Sequence, residues 1–287
     1  MGFLAAAIQM KSEKDWQANL LQAEALLKQA AASGARLAVL PENAFYNGRQ
    51  SQEMAESWTG RTAAWAAAIA KTLGLYLLAG SFFEKNSNGL PYNTSLFLGP
   101  DGQRISAYRK THLFDVDMTQ GPSVSESSWA SPGEELVLAK TKGVGCVGFS
   151  ICYDLRFPEL FRCLALQGAE VFLCPANFTF ATGQLHWQLL LRARAAENGA
   201  YLIGAARCGQ SPTYRAYGHS MIVDPWGKVL AEGGQEPGVV MAEIDLPEVA
   251  QARRQLGMLQ NRREDLYRLS AERVHFDQEE EEVGRSV

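Results

Sequence analysis

Val144-Gly145-Cys146-Val147-Gly148-Phe149-Ser150-Ile151-Cys152-Tyr153-Asp154-Leu155-Arg156-Phe157-Pro158-Glu159 is the stretch that decides the fold. Val144, Cys146, Val147, Phe149 and Ile151 make an apolar run that predicts a buried strand ending at Cys152. Pro158 suits a first helical turn, and Phe157, Leu160, Phe161 and Leu164 then recur at helical spacing. Cys152 therefore falls in a strand-to-helix elbow, its sulfur at a sheet edge with backbone N–H groups around it. Those surroundings are expected to lower a thiol pKa below its free value of about 8.5 and to offer donors to an oxyanion. The competing reading is a small hydrophobe filling a strand end, as most buried cysteines are.

Two more segments bear on that choice. Leu37-Ala38-Val39-Leu40-Pro41-Glu42 predicts a short strand followed at once by a carboxylate, and Ile105 to Tyr108 predicts a strand running into Lys110. In open α/β layers ligands bind outside the carboxyl ends of strands. Glu42, Lys110 and Cys152 all fall at such ends. Singly, Glu42 reads as a solvated loop acid and Lys110 as a surface charge; together the three predict one pocket.

The rest of the chain alternates helical and strand patterns. Helices are expected over Asp15–Ala32, Ala63–Leu73, from the elbow to Gln167, over Trp187–Glu197 and over Leu246–Leu256. Strands are expected at Tyr76–Phe82, Asn93–Leu98, Arg104–Tyr108, Val171–Cys174, Tyr201–Ala206 and Val239–Ile244, with a hairpin of Met221–Asp224 and Lys228–Glu232. Two halves of similar β/α order predict an α/β sandwich of two sheets with helices outside. Gly143-Val144-Gly145-Cys146-Val147-Gly148 spells GxGxxG but leads into a strand, so it lacks the helix that receives a pyrophosphate.

Composition narrows the function classes. Lys and Arg number 27 against 31 Asp and Glu, a net charge of −4, which offers no basic stripe for nucleic acid. No apolar run reaches the roughly 18 residues of a membrane span. Met1 to Met10 is short and lacks a basic leader, so it reads as a first strand and not a signal peptide, and the reducing cytoplasm is the expected compartment. Five cysteines without paired spacing and four scattered histidines predict neither disulfides nor a metal site.

Leu40-Pro41-Glu42, Tyr108-Arg109-Lys110-Thr111-His112-Leu113-Phe114 and Ile151-Cys152-Tyr153-Asp154-Leu155-Arg156-Phe157-Pro158-Glu159 resemble the three signature segments of the nitrilase, or carbon–nitrogen hydrolase, superfamily. The resemblance runs from about Phe3 to about Tyr267. It implies a four-layer αββα sandwich of two mixed, six-stranded-type sheets with outer helices, a single domain over residues 1–270, and no cofactor. Residues 271–287, with Glu279-Glu280-Glu281-Glu282, then read as an acidic, flexible tail. The resemblance places a Glu-Lys-Cys triad at Glu42, Lys110 and Cys152, and a further glutamate at Glu126, ahead of Ser131-Pro132-Gly133. It implies a homodimer or higher homo-oligomer. Gly183-Gln184-Leu185-His186-Trp187 and Tyr217 to Gly227 are similar to the branch of ω-amidases and deaminated-glutathione amidases, and Ala205 to Gly209 leans to the latter.

The implied chemistry is hydrolysis of a small amide through a thioester on Cys152, with Glu42 as base and acid. Lys110 and the Tyr153 backbone N–H would hold the oxyanion. Deaminated glutathione, cleaved to 2-oxoglutarate and Cys-Gly, is the expected substrate. The nearest alternative is ω-amide hydrolysis releasing ammonia, and one of another class is a non-catalytic binding module on the same fold. A substrate carboxylate needs a donor, for which Arg156, Arg207 and Arg215 are candidates. Arg156 equally suits a salt bridge with Glu159 or Asp154. Asn177, at a strand end, and Tyr46, just after Glu42, are further candidates for the pocket wall.

Overall fold

Phe3–Gln9 (β1) is apolar for six residues running, and the alternating direction of its side chains divides the strand between two cores. Ala5 and Ala7 enter one apolar cluster, Ala6 and Ile8 the other, as a period of two requires. Ala35–Val39 (β2) repeats the division, with Leu37 and Val39 facing inward and Ala38 and Leu40 outward once the chain leaves the strand. The structure, a computed structural model, describes residues 2–48, 50–117, 123–211 and 214–279.

The outward cluster is closed by Trp16–Ala32 (α1) and Arg61–Leu73 (α2). The α1 helix starts where the Asp15 carboxylate accepts the Gln17 and Ala18 N–H groups. Tyr76–Glu84 (β3), Tyr92–Leu98 (β4) and Arg104–Arg109 (β5) extend the first sheet. Leu136–Lys140 (β6) and Cys146–Phe149 (β7) begin the second. After Pro158–Leu166 (α3), Val171–Ala176 (β8), Phe180–Asn198 (α4) and Tyr201–Ala206 (β9), a hairpin of Met221–Val223 (β10) and Val229–Glu232 (β11) follows. Gly238–Ile244 (β12) returns to the first sheet, Leu246–Leu256 (α5) follows, and Val274–Gln278 (β13) ends the described chain's order of strands.

The first sheet runs β12-β1-β2-β3-β4-β5 and the second β11-β10-β9-β8-β7-β6-β13. Each has a parallel centre built by helical crossovers, β1 to β3 in one and β7 to β9 in the other. The sheets pack face to face with helices outside, α1 and α2 on one flank and α3 and α4 on the other. Phe97 of β4 and Phe149 of β7 meet across the middle, ring centroids 5.4 Å apart at 60°. Each such buried aromatic contributes about 1.5–3 kcal/mol over an exposed one.

Three expectations change. The α4 helix begins at Phe180, a turn and more before Trp187, because Gly183 is no breaker here. A Cβ at Gly183 would lie 2.2 Å from the Tyr217 ring, so the glycine lets the helix close on that residue. The second sheet has seven strands and not six, since Val274–Gln278 pairs parallel with β6. Part of the expected flexible tail is thus a sheet edge. The sequence of β13 hid this, because an edge strand exposed at His275, Phe276 and Gln278 shows no alternation of apolar and polar residues. Glu279 secures the strand end: its carboxylate accepts the Tyr76 hydroxyl at 2.9 Å and the Lys142 N–H at 2.8 Å. Residues 280–287, with the rest of the acidic run, lie outside the described residues.

Truncation after residue 273 removes this strand and its ladder while leaving both cores intact. A loss on the order of 2 kcal/mol and a Tm lower by roughly 4–8 °C are expected; a Tm equal to that of the full chain would show that β13 carries no stability.

Candidate active site

The carboxyl ends of the parallel strands of both sheets open on a single cavity of about 850 Å³. Glu42 stands on its wall three residues past β2. Gly80 lets that segment approach β3, for a Cβ there would fall 2.0 Å from the Pro41 carbonyl oxygen. Lys110 follows β5 directly; its N–H bonds the Asn93 carbonyl and its carbonyl accepts the Gly133 N–H. Glu126 opens a short turn, Glu126–Ser128, and Cys152 opens another, Cys152–Arg156.

These four side chains meet. The Lys110 ammonium donates to Glu42 Oε1 at 2.9 Å and to Glu126 Oε2 at 2.7 Å. Glu42, Lys110 and Glu126 are each at most 3% exposed and Cys152 is 8% exposed. Asn93, which the sequence reading passed over as a strand residue, donates its amide to Glu42 at 3.0 Å and to Glu126 at 3.3 Å. Its strand gave no signal to single it out, since Asn93, Thr94 and Ser95 are all polar and all buried. Glu126 also accepts the Phe114 N–H at 2.6 Å. Between them, Lys110 and Asn93 leave the two carboxylates little freedom.

Cys152 has a φ of 49°, in the left-handed region that residues with a Cβ seldom adopt. That turn aims the sulfur into the cavity, where the Asn177 N–H approaches it at 3.5 Å. The thiol pKa is not lowered, as the elbow suggested, but pushed well above its ordinary value. Burial is the main cause and the neighbouring Glu42 charge the second, outweighing Lys110 and the Asn177 N–H. Burial works equally against the Lys110 ammonium, yet Glu126 and then Glu42 overcome it and raise its pKa. The site at rest therefore pairs a neutral thiol with a charged lysine.

Asp154 is the second residue whose part went unread. Fully buried, it accepts the Ile151 N–H at 2.8 Å, the His112 N–H at 3.0 Å, and the Tyr108 hydroxyl at 2.7 Å, with His112 Nδ1 at 2.7 Å. It fastens the turn bearing Cys152 to the segment bearing Lys110. Accordingly Arg156 pairs with neither Asp154 nor Glu159. It lies over the Tyr153 and Phe178 rings, its Nη1 donates to His186 Nδ1 at 2.9 Å, and it makes no ion pair with a carboxylate among the described residues.

Of the other candidates, Tyr153 and Asn177 line the cavity. Tyr46 does not: it packs edge-on against Phe83, and among the described residues its hydroxyl donates to Gln50. Arg207 is also off the wall. Its guanidinium donates to the Ser12 carbonyl at 2.6 Å and to Asn177 and Tyr214, so it ties strand ends of the two sheets together. Arg215 stacks on Phe180 at the surface. Among the described residues no three His, Cys, Asp or Glu side chains are grouped to hold a metal ion.

A buried thiol beside a carboxylate, with an ammonium fixed between two acids, defines a thiol-dependent acyl-transfer site. Residues 4–254 match the carbon-nitrogen hydrolase family, and the chain belongs to it. It is a hydrolase of carbon–nitrogen bonds in amides. Among its relatives, the deaminated glutathione amidase of Synechocystis sp. is 41% identical over 266 residues, 91% of this chain and 98% of that protein. Omega-amidase NIT2 of Danio rerio is 38% identical, with 94% and 98% of the two chains covered. The amidase of Nesterenkonia sp. AN1, solved with the acetamide moiety of fluoroacetamide added covalently at its active-site cysteine, is 26% identical with a TM-score of 0.75, covering 92% of this chain and 95% of that one.

Replacing Asp154 by Ala would leave several buried donors without an acceptor. Urea denaturation of D154A is expected to show a stability lower by about 3–5 kcal/mol at unchanged m; a loss under about 1 kcal/mol would mean that the clamp is dispensable.

Proposed function

We propose that the chain is a cysteine amidase that cleaves deaminated glutathione to 2-oxoglutarate and Cys-Gly, with Glu42, Lys110 and Cys152 as catalytic residues and Glu126 holding the lysine. Cys152 passes its proton to Glu42 and its sulfur attacks the amide carbonyl. The oxyanion receives the Lys110 ammonium and the N–H of Tyr153, a first-turn donor without a partner inside its own turn. Collapse returns the Glu42 proton to the departing amine and leaves a thioester on Cys152. A water deprotonated by Glu42 then attacks the thioester, and the acid leaves as the thiol is restored.

The observation that carries the substrate class is Arg156. It is a half-buried guanidinium on the cavity wall, in the same turn as Cys152, without a carboxylate partner among the described residues. A planar fork in that position suits the carboxylate of a 2-oxo acid. The cavity, at about 850 Å³, lies toward the large end of the roughly 300–1,000 Å³ usual for ligand sites, which favours a peptide-like amide over a small one. The ω-amidase relative supports 2-oxoglutaramate, which has the same 2-oxo acid end, as the second reading.

A homodimer and the cytoplasm as compartment belong to this proposal. Leu185 and Leu189 on the exposed face of α4 support the first, and five unpaired, buried cysteines support the second. No helix among the described residues is long and apolar enough to cross a membrane.

Assay of both amides, with 2-oxoglutarate, Cys-Gly and ammonia quantified, is expected to give the higher kcat/KM for deaminated glutathione; an equal or higher value for 2-oxoglutaramate would reverse the ranking. In E42Q, turnover should fall about 10²–10⁴-fold. Because the Glu42 charge helps to raise the thiol pKa, iodoacetamide should alkylate Cys152 at lower pH in E42Q than in the wild type. An upward shift, or undiminished turnover, would remove Glu42 as the base.

A further inference from the structure

Among the described residues the cavity wall carries three cations, Lys14, Lys110 and Arg156, against two carboxylates, Glu42 and Glu126. Lys110 engages both carboxylates. Arg156 and Lys14 make no ion pair among the described residues, so a ligand entering the cavity meets two uncommitted positive charges. They stand on different walls. Arg156 belongs to the elbow of the second sheet, whereas Lys14 lies in the connection from β1 to α1, at a carboxyl strand end of the first.

The backbone around Lys14 is pinned on both sides. Asn19 accepts the Glu13 N–H at 2.9 Å and donates to the Glu13 carbonyl at 2.8 Å, while the Asp15 side chain caps α1. The Glu13 carbonyl also accepts the Asn47 N–H at 3.0 Å, and Asn19 donates to the Phe45 carbonyl at 3.0 Å. Lys14 is thereby stitched to the turn that follows Glu42. In the proposed reaction Glu42 protonates the departing amine, and Lys14 shares the cavity wall with Asn43 and Asn47 of the segment that follows Glu42.

We propose that Lys14 is a specificity residue for the leaving group, receiving a carboxylate on the amine side of the scissile amide. The substrate class is then an amide with an anion at each end, an oxo-acid carboxylate on Arg156 and the carboxylate of an amino acid or short peptide on Lys14. This rests on the amidase reading above and deepens it. An exposed ammonium on a flexible stem suits the task, because it follows a carboxylate over a range of positions where a planar guanidinium would demand one geometry. Ammonia, as a leaving group, makes no use of it.

The test compares deaminated glutathione with its C-terminal carboxamide, on the wild type, K14Q and K14R. For a solvent-exposed pair the wild type should prefer the acid by about two- to fivefold in kcat/KM at low salt, chiefly through KM, and the preference should shrink as salt rises. K14Q should bring the ratio near one and K14R should keep most of it. Equal rates on acid and carboxamide in the wild type, or an undiminished ratio in K14Q, overturn the role of Lys14 while leaving the amidase reading in place, since the product is still 2-oxoglutarate. If neither compound is cleaved while 2-oxoglutaramate is, the preferred substrate and the role of Lys14 fall together.

Discussion

An ammonium taken almost wholly out of water is the interaction on which the rest of this structure depends. Removing such an ion from solvent costs several kcal/mol even after relaxation, and only close, well-aligned anions offset it. Lys110 has two, Glu126 at 2.7 Å and Glu42 at 2.9 Å. The carboxylates face each other across it and would repel if it were absent. Asn93, with its amide shared between them, removes the remaining freedom. Each of the three charges makes the burial of the other two tolerable, so the cluster forms as a unit.

That unit draws on distant parts of the chain, and the fold exists to bring them together. Glu42 comes from the end of β2, Lys110 from the end of β5, and Glu126 from a turn beyond it, all in the half built on the first sheet. Cys152 comes from the other sheet. The joint between the halves is polar: Asp154 holds the cysteine turn against the lysine segment, and Arg207 reaches across to the Ser12 carbonyl. The Cys208 N–H bonds the Met10 carbonyl at 3.0 Å as well. Apolar packing between the sheets sets their separation, and these bonds set their register at the one end where chemistry is done.

How much of this is legible in the sequence follows from the range of the forces involved. Apolar periodicity is a local property, and β9 and α5 were read with the bounds they have. Glu42, Lys110 and Cys152 could be read because each follows a strand pattern, an arrangement seldom needed for packing, whereas Glu126, in a serine-rich turn, came through the family resemblance alone. Asn93, Asp154 and Lys14 were not legible in that way. An asparagine in a strand, an aspartate in a turn and a lysine in a loop each satisfy local rules without any partner, and their bonds reach 33 to 51 residues away where Asn93 is concerned. Arg207 and Tyr46 misled for the complementary reason: their residue types suit a pocket, but side chains next to a site also build the wall behind it. The thiol pKa failed as an expectation because an elbow describes backbone dipoles, whereas burial and a neighbouring carboxylate belong to the assembled fold.

The raised thiol pKa then fits the proposed cycle better than a resting thiolate would. A sulfur anion at rest would add a third negative charge around a single ammonium in a site that water barely reaches. With the thiol neutral, Glu42, Lys110 and Glu126 carry one net negative charge together. Attack moves a proton from sulfur to Glu42 while the substrate oxygen becomes the anion, and the total stays the same. Departure of the neutral amine and formation of the thioester leave it the same again. Displacing charge within a dry, prearranged cluster costs far less than creating it there, because the surrounding dipoles are already oriented for it. Proton transfer within the site keeps the total constant, and Glu126 keeps one anion on the Lys110 ammonium throughout, so the lysine stays paired and in place while Glu42 takes up and returns its proton.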